Sequence, residues 1–254
     1  MPDIQSNSRF FIDTSLNDGA PIHLNEAQST QVRKVLRLKP GDQVIVFDGS
    51  GYEGVGRIVA FGRGDVQIEL VGEPYSGIVP GPPMVELGVA MIKGDRFDLI
   101  IQKATELGVA RIVPIETERC VVSLPADRVP SRLARWRRIA TEALEQSGRA
   151  DAVEVTEPAD FERLLEQVDS DLRLIAWERE SSHSLASRVN PSIRSITVLI
   201  GPEGGFTENE VRAAGEAGFD AVGLGPTILR SETAAIAVPA MIRAAMDLAM
   251  TNRE

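Results

Sequence analysis

Ile196-Thr197-Val198-Leu199-Ile200-Gly201-Pro202-Glu203-Gly204-Gly205-Phe206-Thr207 decides the fold: an unbroken apolar run stops at a glycine-rich turn, and the turn opens onto a helix. An apolar run without strict alternation marks a strand covered on both faces, as in parallel sheets flanked by helices. Gly201, Gly204 and Gly205 permit positive φ and let a ligand approach the backbone, Pro202 stiffens the turn, and Thr207 with Glu210 three residues on marks a helix start. Five more short apolar runs lie outward from this one: Met84–Met91, Ala110–Ile115, Ala152–Val155, Asp171–Trp177 and Ala221–Leu224. Between them Phe97, Ile100, Ile101, Ala104 and Leu107 share a helical face that ends at Gly108, and Leu133, Trp136, Ala140, Ala143 and Leu144 repeat the spacing. Residues 84–254 are therefore expected to form an α/β domain on a mainly parallel sheet.

Upstream the pattern changes. Gln43–Asp48, Tyr52–Ala60 and Val66–Val71 are rich in β-branched residues and are separated by Asp48-Gly49-Ser50-Gly51 and Gly62-Arg63-Gly64-Asp65, which predicts a small barrel or curled sheet over residues 1–73. One helix is expected before these strands, with Asn25 as N-cap, Gln28 three residues later and Pro40-Gly41 as the stop. On it Val32, Val35 and Leu36 would face the sheet and leave Arg33, Lys34 and Arg37 outside. The stretch Glu73 to Pro83 is too rich in proline and glycine for either regular structure, so residues 74–83 read as a linker.

Composition narrows the function. The single cysteine, Cys120, rules out an internal disulfide and a multi-thiolate zinc site and fits a reducing cytoplasm, and with only His23 and His183 no metal centre is expected. No apolar stretch follows the first residues, and Ala234 to Met250 carries Arg243 and Asp247, so neither a signal peptide nor a membrane span is expected. The net charge of -10 argues against nucleic acid until its distribution is read. Six arginines against two glutamates fall between Arg128 and Arg149, and four basic residues against one acid between Glu26 and Lys39. Acid collects from Glu157 to Asp171. Each basic run is equally the solvated face of a helix.

In an open parallel sheet ligands bind beyond the carboxyl ends of the strands. Glu178 follows one run, Gly-Pro-Glu-Gly-Gly-Phe another, and Leu224-Gly225-Pro226-Thr227-Ile228-Leu229-Arg230-Ser231-Glu232-Thr233 a third. Two glycine-rich ends in one domain point to a backbone-lined small-molecule pocket. There is no Gly-x-x-x-x-Gly-Lys-Ser/Thr, and the glycine-rich turn follows a late strand without dinucleotide-fold spacing. The isolated Gly-x-Gly triplets at Gly54, Gly62 and Gly223 are too common to count.

Lys93-Gly94-Asp95-Arg96, Gln102 to Val109, Thr117-Glu118-Arg119-Cys120, Glu145-Gln146-Ser147-Gly148-Arg149, Leu199 to Phe206 and Leu229 to Ala234 together resemble the RsmE family, the small-subunit ribosomal RNA uridine N3-methyltransferases of the SPOUT superfamily. The resemblance runs over essentially the whole chain. At Thr227 such sequences commonly carry arginine, so Arg230 is the only arginine of that loop here. The resemblance implies a SPOUT-type α/β parallel sheet with a C-terminal deep trefoil knot, preceded by a small PUA-like β-barrel domain. It implies a cytoplasmic homodimer, with Ala234 to Met250 as a helix that faces either the partner or its own sheet. S-adenosyl-L-methionine would lie bent among Trp177, Glu178, Leu199, Ile200, Gly201, Pro202, Glu203, Gly204, Gly205, Leu224, Gly225, Ile228, Leu229, Ser231, Thr233 and Ala234.

The reaction so implied is methylation of N3 of a specific uridine (position 1498) of 16S rRNA in the assembled small subunit. N3 of uracil carries a proton, so a base or a cation that stabilises the uracil oxyanion is needed. Arg230 is the candidate for stabilisation; Glu232, then Glu203, are the candidate bases, although a carboxylate at a helix start also interacts with the helix dipole. Arg9, Arg33, Lys34, Arg37, Lys93, Arg96, Arg119 and Arg149 are the expected RNA contacts. No DNA or membrane partner is expected. The alternatives are a SPOUT enzyme acting on tRNA or on ribose, and a ribosome-assembly factor without cofactor.

Overall fold

The structure is a computed structural model and describes residues 8–251. The chain divides into two compact units, one running to Val79 and including Thr141–Ala152, the other formed by Pro80–Ala140 and the chain from Val153 onward.

In the first unit β1 (Arg9–Phe11), β2 (Ile22–Leu24), β3 (Gln43–Phe47), β4 (Tyr52–Phe61), β5 (Val66–Leu70) and β6 (Tyr75–Ser76) form one sheet in the order β1-β3-β4-β5-β2, with β6 on β4. Only the β1–β3 pair is parallel. Inward residues of alternating strands, Val44, Val46, Ile58, Val66 and Ile68, pack with Phe10, Leu24 and Val32 into its core. Helix α1 (Glu26–Thr30) starts on a complete capping box: Gln28 N–H donates to Asn25 Oδ1 and Asn25 N–H to Gln28 Oε1. Its continuation, Gln31–Val35, is a π-turn closed by Leu36 N–H to Gln31 C=O. The wider turn breaks the 3.6-residue repeat, so Val32 is buried while Val35 is 72% exposed, against the expectation that both face the sheet.

Residues 74–83 are not a free linker. Tyr75 and Ser76 pair with Glu53 and Tyr52, Gly77 N–H donates to Gly51 C=O, and Ala150 N–H donates to Ile78 C=O. Proline and glycine forbid a central strand but not a short edge strand, which is what this stretch supplies. The stretch 141–152 likewise belongs with the first unit although its sequence neighbours belong to the second.

That stretch carries Glu145, buried at 8% exposure, whose Oε1 accepts both Phe11 N–H at 3.0 Å and the Gln28 side-chain amide at 2.9 Å. Burial pushes its carboxyl above the ordinary value, while the two donors pull it back. A carboxyl raised by folding favours the native state at low pH, and this contribution is lost as pH rises through the raised value. Glutamine keeps an Oε1 for both donors and carries no charge. Glu145→Gln is therefore expected to melt higher than wild type at pH 7, with the difference shrinking through the ordinary carboxyl range and vanishing towards about pH 3, where the glutamate is protonated in both states. Thermal melts across that range measure it; a variant that melts lower at pH 7 shows the charge to be stabilising.

In the second unit β7 (Met84–Ala90), β8 (Val109–Glu116), β9 (Glu154–Val155), β10 (Ala159–Asp160), β11 (Leu172–Ala176), β12 (Ser195–Ile200) and β13 (Asp220–Val222) form a sheet parallel throughout, in the order β10-β8-β7-β12-β11-β13, with β9 also on β8. Along β12, Ile196, Val198 and Ile200 enter one core cluster and Leu199 the other, so both faces are covered. Helices α2 (Arg96–Glu106), α3 (Val129–Ser147) and α6 (Ser231–Thr251) supply Ile100, Trp136 and Val238 to the first cluster; α4 (Phe161–Gln167) and α5 (Glu208–Glu216) supply Phe161 and Ala214 to the second. Among the described residues α6 is the one helix long and apolar enough to cross a membrane by length and composition. Its Ala235, Val238, Ile242 and Met246 are buried at helical spacing and it packs on α2, β7 and β12, as a core helix does.

Candidate functional site

The sheet order places the carboxyl ends of β12, β11 and β13 side by side, with β11 between the two strands that carry the glycine-rich loops. The loops are thus one strand apart, and Trp177 and Glu178 at the end of β11 fill the gap. A cavity of about 310 Å³ lies there, lined by Trp177, Glu178, Ile200 to Gly205, Leu224, Gly225, Ile228, Leu229, Ser231 and Ala234 of the expected cofactor residues. Its size is that of a pocket for a small organic ligand. Leu199 and Thr233 do not line it: Leu199 points into the core on the other sheet face and Thr233 is exposed on α6.

Ala176, Glu180, Phe206, Gly223, Pro226 and Thr227 complete the lining; Phe206, Pro226 and Thr227 belong to the two glycine-rich strand ends, while Ala176, Glu180 and Gly223 were not expected. Gly223 carried a signal, its Gly-x-Gly triplet, that is too common to use. Its importance lies in a close approach: a Cβ there would overlap the carbonyl oxygen of Glu180, and its N–H donates to His183 C=O while its own C=O accepts from Leu185 N–H. Gly205 has φ +67°, and a Cβ on it would lie 2.8 Å from the Glu178 carboxylate. The loop after β12 ends on a second capping box, in which Glu210 N–H donates to Thr207 Oγ1 and Thr207 N–H to Glu210 Oε2. In the cavity wall the Trp177 indole N–H is buried without a partner among the described residues, a donor that a polar ligand would satisfy.

Charge is arranged around this cavity. Arg96, the first residue of α2, places Nη2 2.6 Å from Glu203 Oε1 and Nη1 3.6 Å from Glu232 Oε2, so one guanidinium faces both candidate bases. The Glu232 side chain is 13% exposed, and among the described residues its buried Oε2 has no hydrogen-bond partner beyond the longer ion pair to Arg96. Arg119, in the loop after β8, donates from Nη1 to Gly204 C=O at 2.8 Å. Arg230 is exposed between Leu229 and Ser231, and its guanidinium makes no ion pair or hydrogen bond among the described residues. Among those residues no group of three or more His, Cys, Asp or Glu side chains could hold a metal ion.

The expected RNA contacts fall into two classes. Lys34, Arg37 and Lys93 are exposed. Arg33 is held inward, with Nη2 on Gly62 C=O and Asp65 C=O and its guanidinium 4.9 Å from the centre of the Phe61 ring. Arg9 pairs with Glu53 at 2.7 Å over the Phe47 ring, and Arg149, 3% exposed, pairs with Asp151 at 2.6 Å. Both guanidiniums are largely enclosed, with side chains 12% and 3% exposed, and are turned to carboxylates of the first unit. Buried pairs of this kind are indistinguishable from surface arginines in a sequence.

Residues 80–243 match the family model of an RNA methyltransferase domain, and residues 32–71 that of an RNA methyltransferase PUA domain. Ribosomal RNA small subunit methyltransferase E of Bacillus subtilis is 32% identical, over 89% of this chain and 92% of its own length. The protein of that name from Synechocystis is 36% identical, over 90% of this chain and 74% of its own. The crystal structure of ribosomal RNA small subunit methyltransferase E from Neisseria gonorrhoeae bound to S-adenosyl methionine superimposes with a TM-score of 0.85 at 32% identity, over 94% of this chain and 98% of that one.

Proposed function

The chain belongs to the RNA methyltransferase family of the ribosomal RNA small subunit methyltransferases E, and from that premise we propose that it methylates N3 of the specific uridine of 16S rRNA that such enzymes modify, in the assembled small subunit. It is an S-adenosylmethionine-dependent rRNA methyltransferase with an RNA methyltransferase PUA domain before its α/β domain. The observation that carries the finer reading is the cavity at the ends of β11, β12 and β13 with an unpaired Arg230 and the Glu203 and Glu232 carboxylates beside it.

The residues present fit the cofactor: a glycine-rich wall in which Gly205 and Gly223 admit the close approach of the Glu178 carboxylate and the Glu180 carbonyl, and a buried indole donor in need of a partner. Trp177, the Gly201–Gly205 loop and the Leu224–Leu229 loop would hold it. When bound it supplies a methyl group made electrophilic by its sulfonium, without a metal. The chain must then orient the uracil and manage the N3 proton. Arg230 places a cation where negative charge develops on O2 or O4, and Glu232, half-enclosed with one unbonded oxygen, accepts the proton. Arg96 holds Glu203 and Glu232 in place, while Lys34, Arg37 and Lys93 contact phosphates. Watson–Crick pairing hides N3, so the uridine is taken unpaired. The enzyme acts in the cytoplasm as a homodimer, with exposed Leu248 and Met250 of α6 offered to the partner, and its C-terminal loops form the trefoil knot of the superfamily.

Nucleoside mass spectrometry of rRNA from a deletion strain tests the reading. N3-methyluridine is expected to be absent, to return with the wild-type gene, and to be made in vitro on intact small subunits but not on short naked RNA. A ribose-methylated nucleoside, or equal activity on naked RNA, overturns it.

A further inference from the structure

We propose that Glu210, outside the cavity, is a positioning residue for the methyl donor, acting through a strut that ends on the glycine-rich loop. Glu210 is 7% exposed on α5. A helix cap needs only one of its oxygens: Oε2 takes the Thr207 N–H at 2.7 Å and hydroxyl at 3.0 Å. The other oxygen is turned outward from the helix to a distant segment, where Oε1 accepts Glu118 N–H at 2.8 Å. A buried carboxylate with both oxygens engaged ties the two segments together: at one end the buried Thr207 N–H depends on it, and at the other it anchors the Glu118 amide.

The segment so held is a tight turn, closed by Cys120 N–H on Thr117 C=O, and it presents Arg119. Arg119 meets the glycine-rich loop twice. Its Nη1 donates to Gly204 C=O at 2.8 Å, and its stem packs so closely on Gly204 that a Cβ there would lie 3.2 Å from Arg119 Cβ. Gly204 lines the cavity. The chain of contacts therefore runs from Glu210 to the Glu118 amide, along one peptide to Arg119, and onto the backbone that cradles the ligand. In this arrangement Arg119, which the sequence assigns to RNA, serves the cofactor loop.

The inference rests on the cofactor reading above, and calorimetry separates the two. If wild type fails to bind S-adenosylmethionine, the cofactor reading falls. If it binds, Glu210→Gln is expected to weaken binding about tenfold, since one of its two acceptor oxygens becomes a donor facing an N–H. KM for the cofactor should rise more than kcat falls. Ala214→Gly, which destabilises the same helix without touching the strut, should lower the melting temperature yet leave affinity within about twofold. Arg119→Ala, on an exposed residue, should reproduce the tenfold loss, and the double variant should be no worse than either single one. Unchanged affinity in Glu210→Gln or Arg119→Ala, equal loss in Ala214→Gly, or additive losses in the double variant overturn the proposal. Should Glu210→Gln fail to fold, Arg119→Ala alone decides.

Discussion

Gly223→Ala is expected to abolish measurable binding of S-adenosylmethionine, a loss of at least about a hundredfold in affinity, or about 3 kcal/mol. The added methyl would overlap the carbonyl oxygen of Glu180, a backbone atom that cannot swing aside as a side chain can. Relief requires the segment from Glu180 to Leu185 to move away, breaking Gly223 N–H to His183 C=O and Leu185 N–H to Gly223 C=O. Glu180 and Gly223 both line the cavity, so the displacement reshapes the wall itself. Gly215→Ala is the control: it lies in α5 with open space around its Cα, and it should bind as wild type does. Titration calorimetry on both variants checks the expectation. Wild-type affinity in Gly223→Ala would mean that the Glu180 segment is pliant and the close approach has no functional weight.

Arg230→Ala is expected to behave oppositely, leaving binding intact and removing turnover. Its guanidinium is exposed and makes no bond within the described chain, so its loss leaves no buried partner unpaired and the melting temperature should not move. If it stabilises the charge that develops on uracil as N3 is deprotonated, kcat should fall by about 10²–10³, as for removal of one oxyanion donor, with cofactor affinity within about twofold of wild type. Single-turnover methylation of small subunits separates this from a phosphate-binding role, which would raise KM for the subunit and spare the rate at saturation. A rate within about threefold of wild type would remove Arg230 from the chemistry and leave Glu232 and Arg96 as the groups to test.

The contrast between these two residues shows how far the sequence reaches. Arg230 was legible as a candidate because it follows a strand end in a glycine-rich loop, a purely local pattern. Gly223 sits in an equally local pattern, yet what makes it matter is a carbonyl more than forty residues earlier in the chain, brought alongside by the bridge between Ser184 and Gly223. The same holds for Val35, where an apolar residue at helical spacing was rotated outward by the π-turn. It holds again for Arg9 and Arg149, whose charges are enclosed by Glu53 and Asp151.

The sequence by itself determined the covered parallel strands, the capping boxes at Asn25 and Thr207, and the two glycine-rich strand ends that became one cavity wall. These follow from backbone sterics and from apolar periodicity, which act over a few residues. Only the tertiary structure decided which strand lies between the two loops, that residues 74–79 and 141–152 join the first unit, that Arg96 faces both Glu203 and Glu232, and that Glu210 reaches Glu118. The physical reason is that hydrogen bonds and ion pairs are short-range in space but indifferent to separation along the chain, so their partners are chosen by the packed fold.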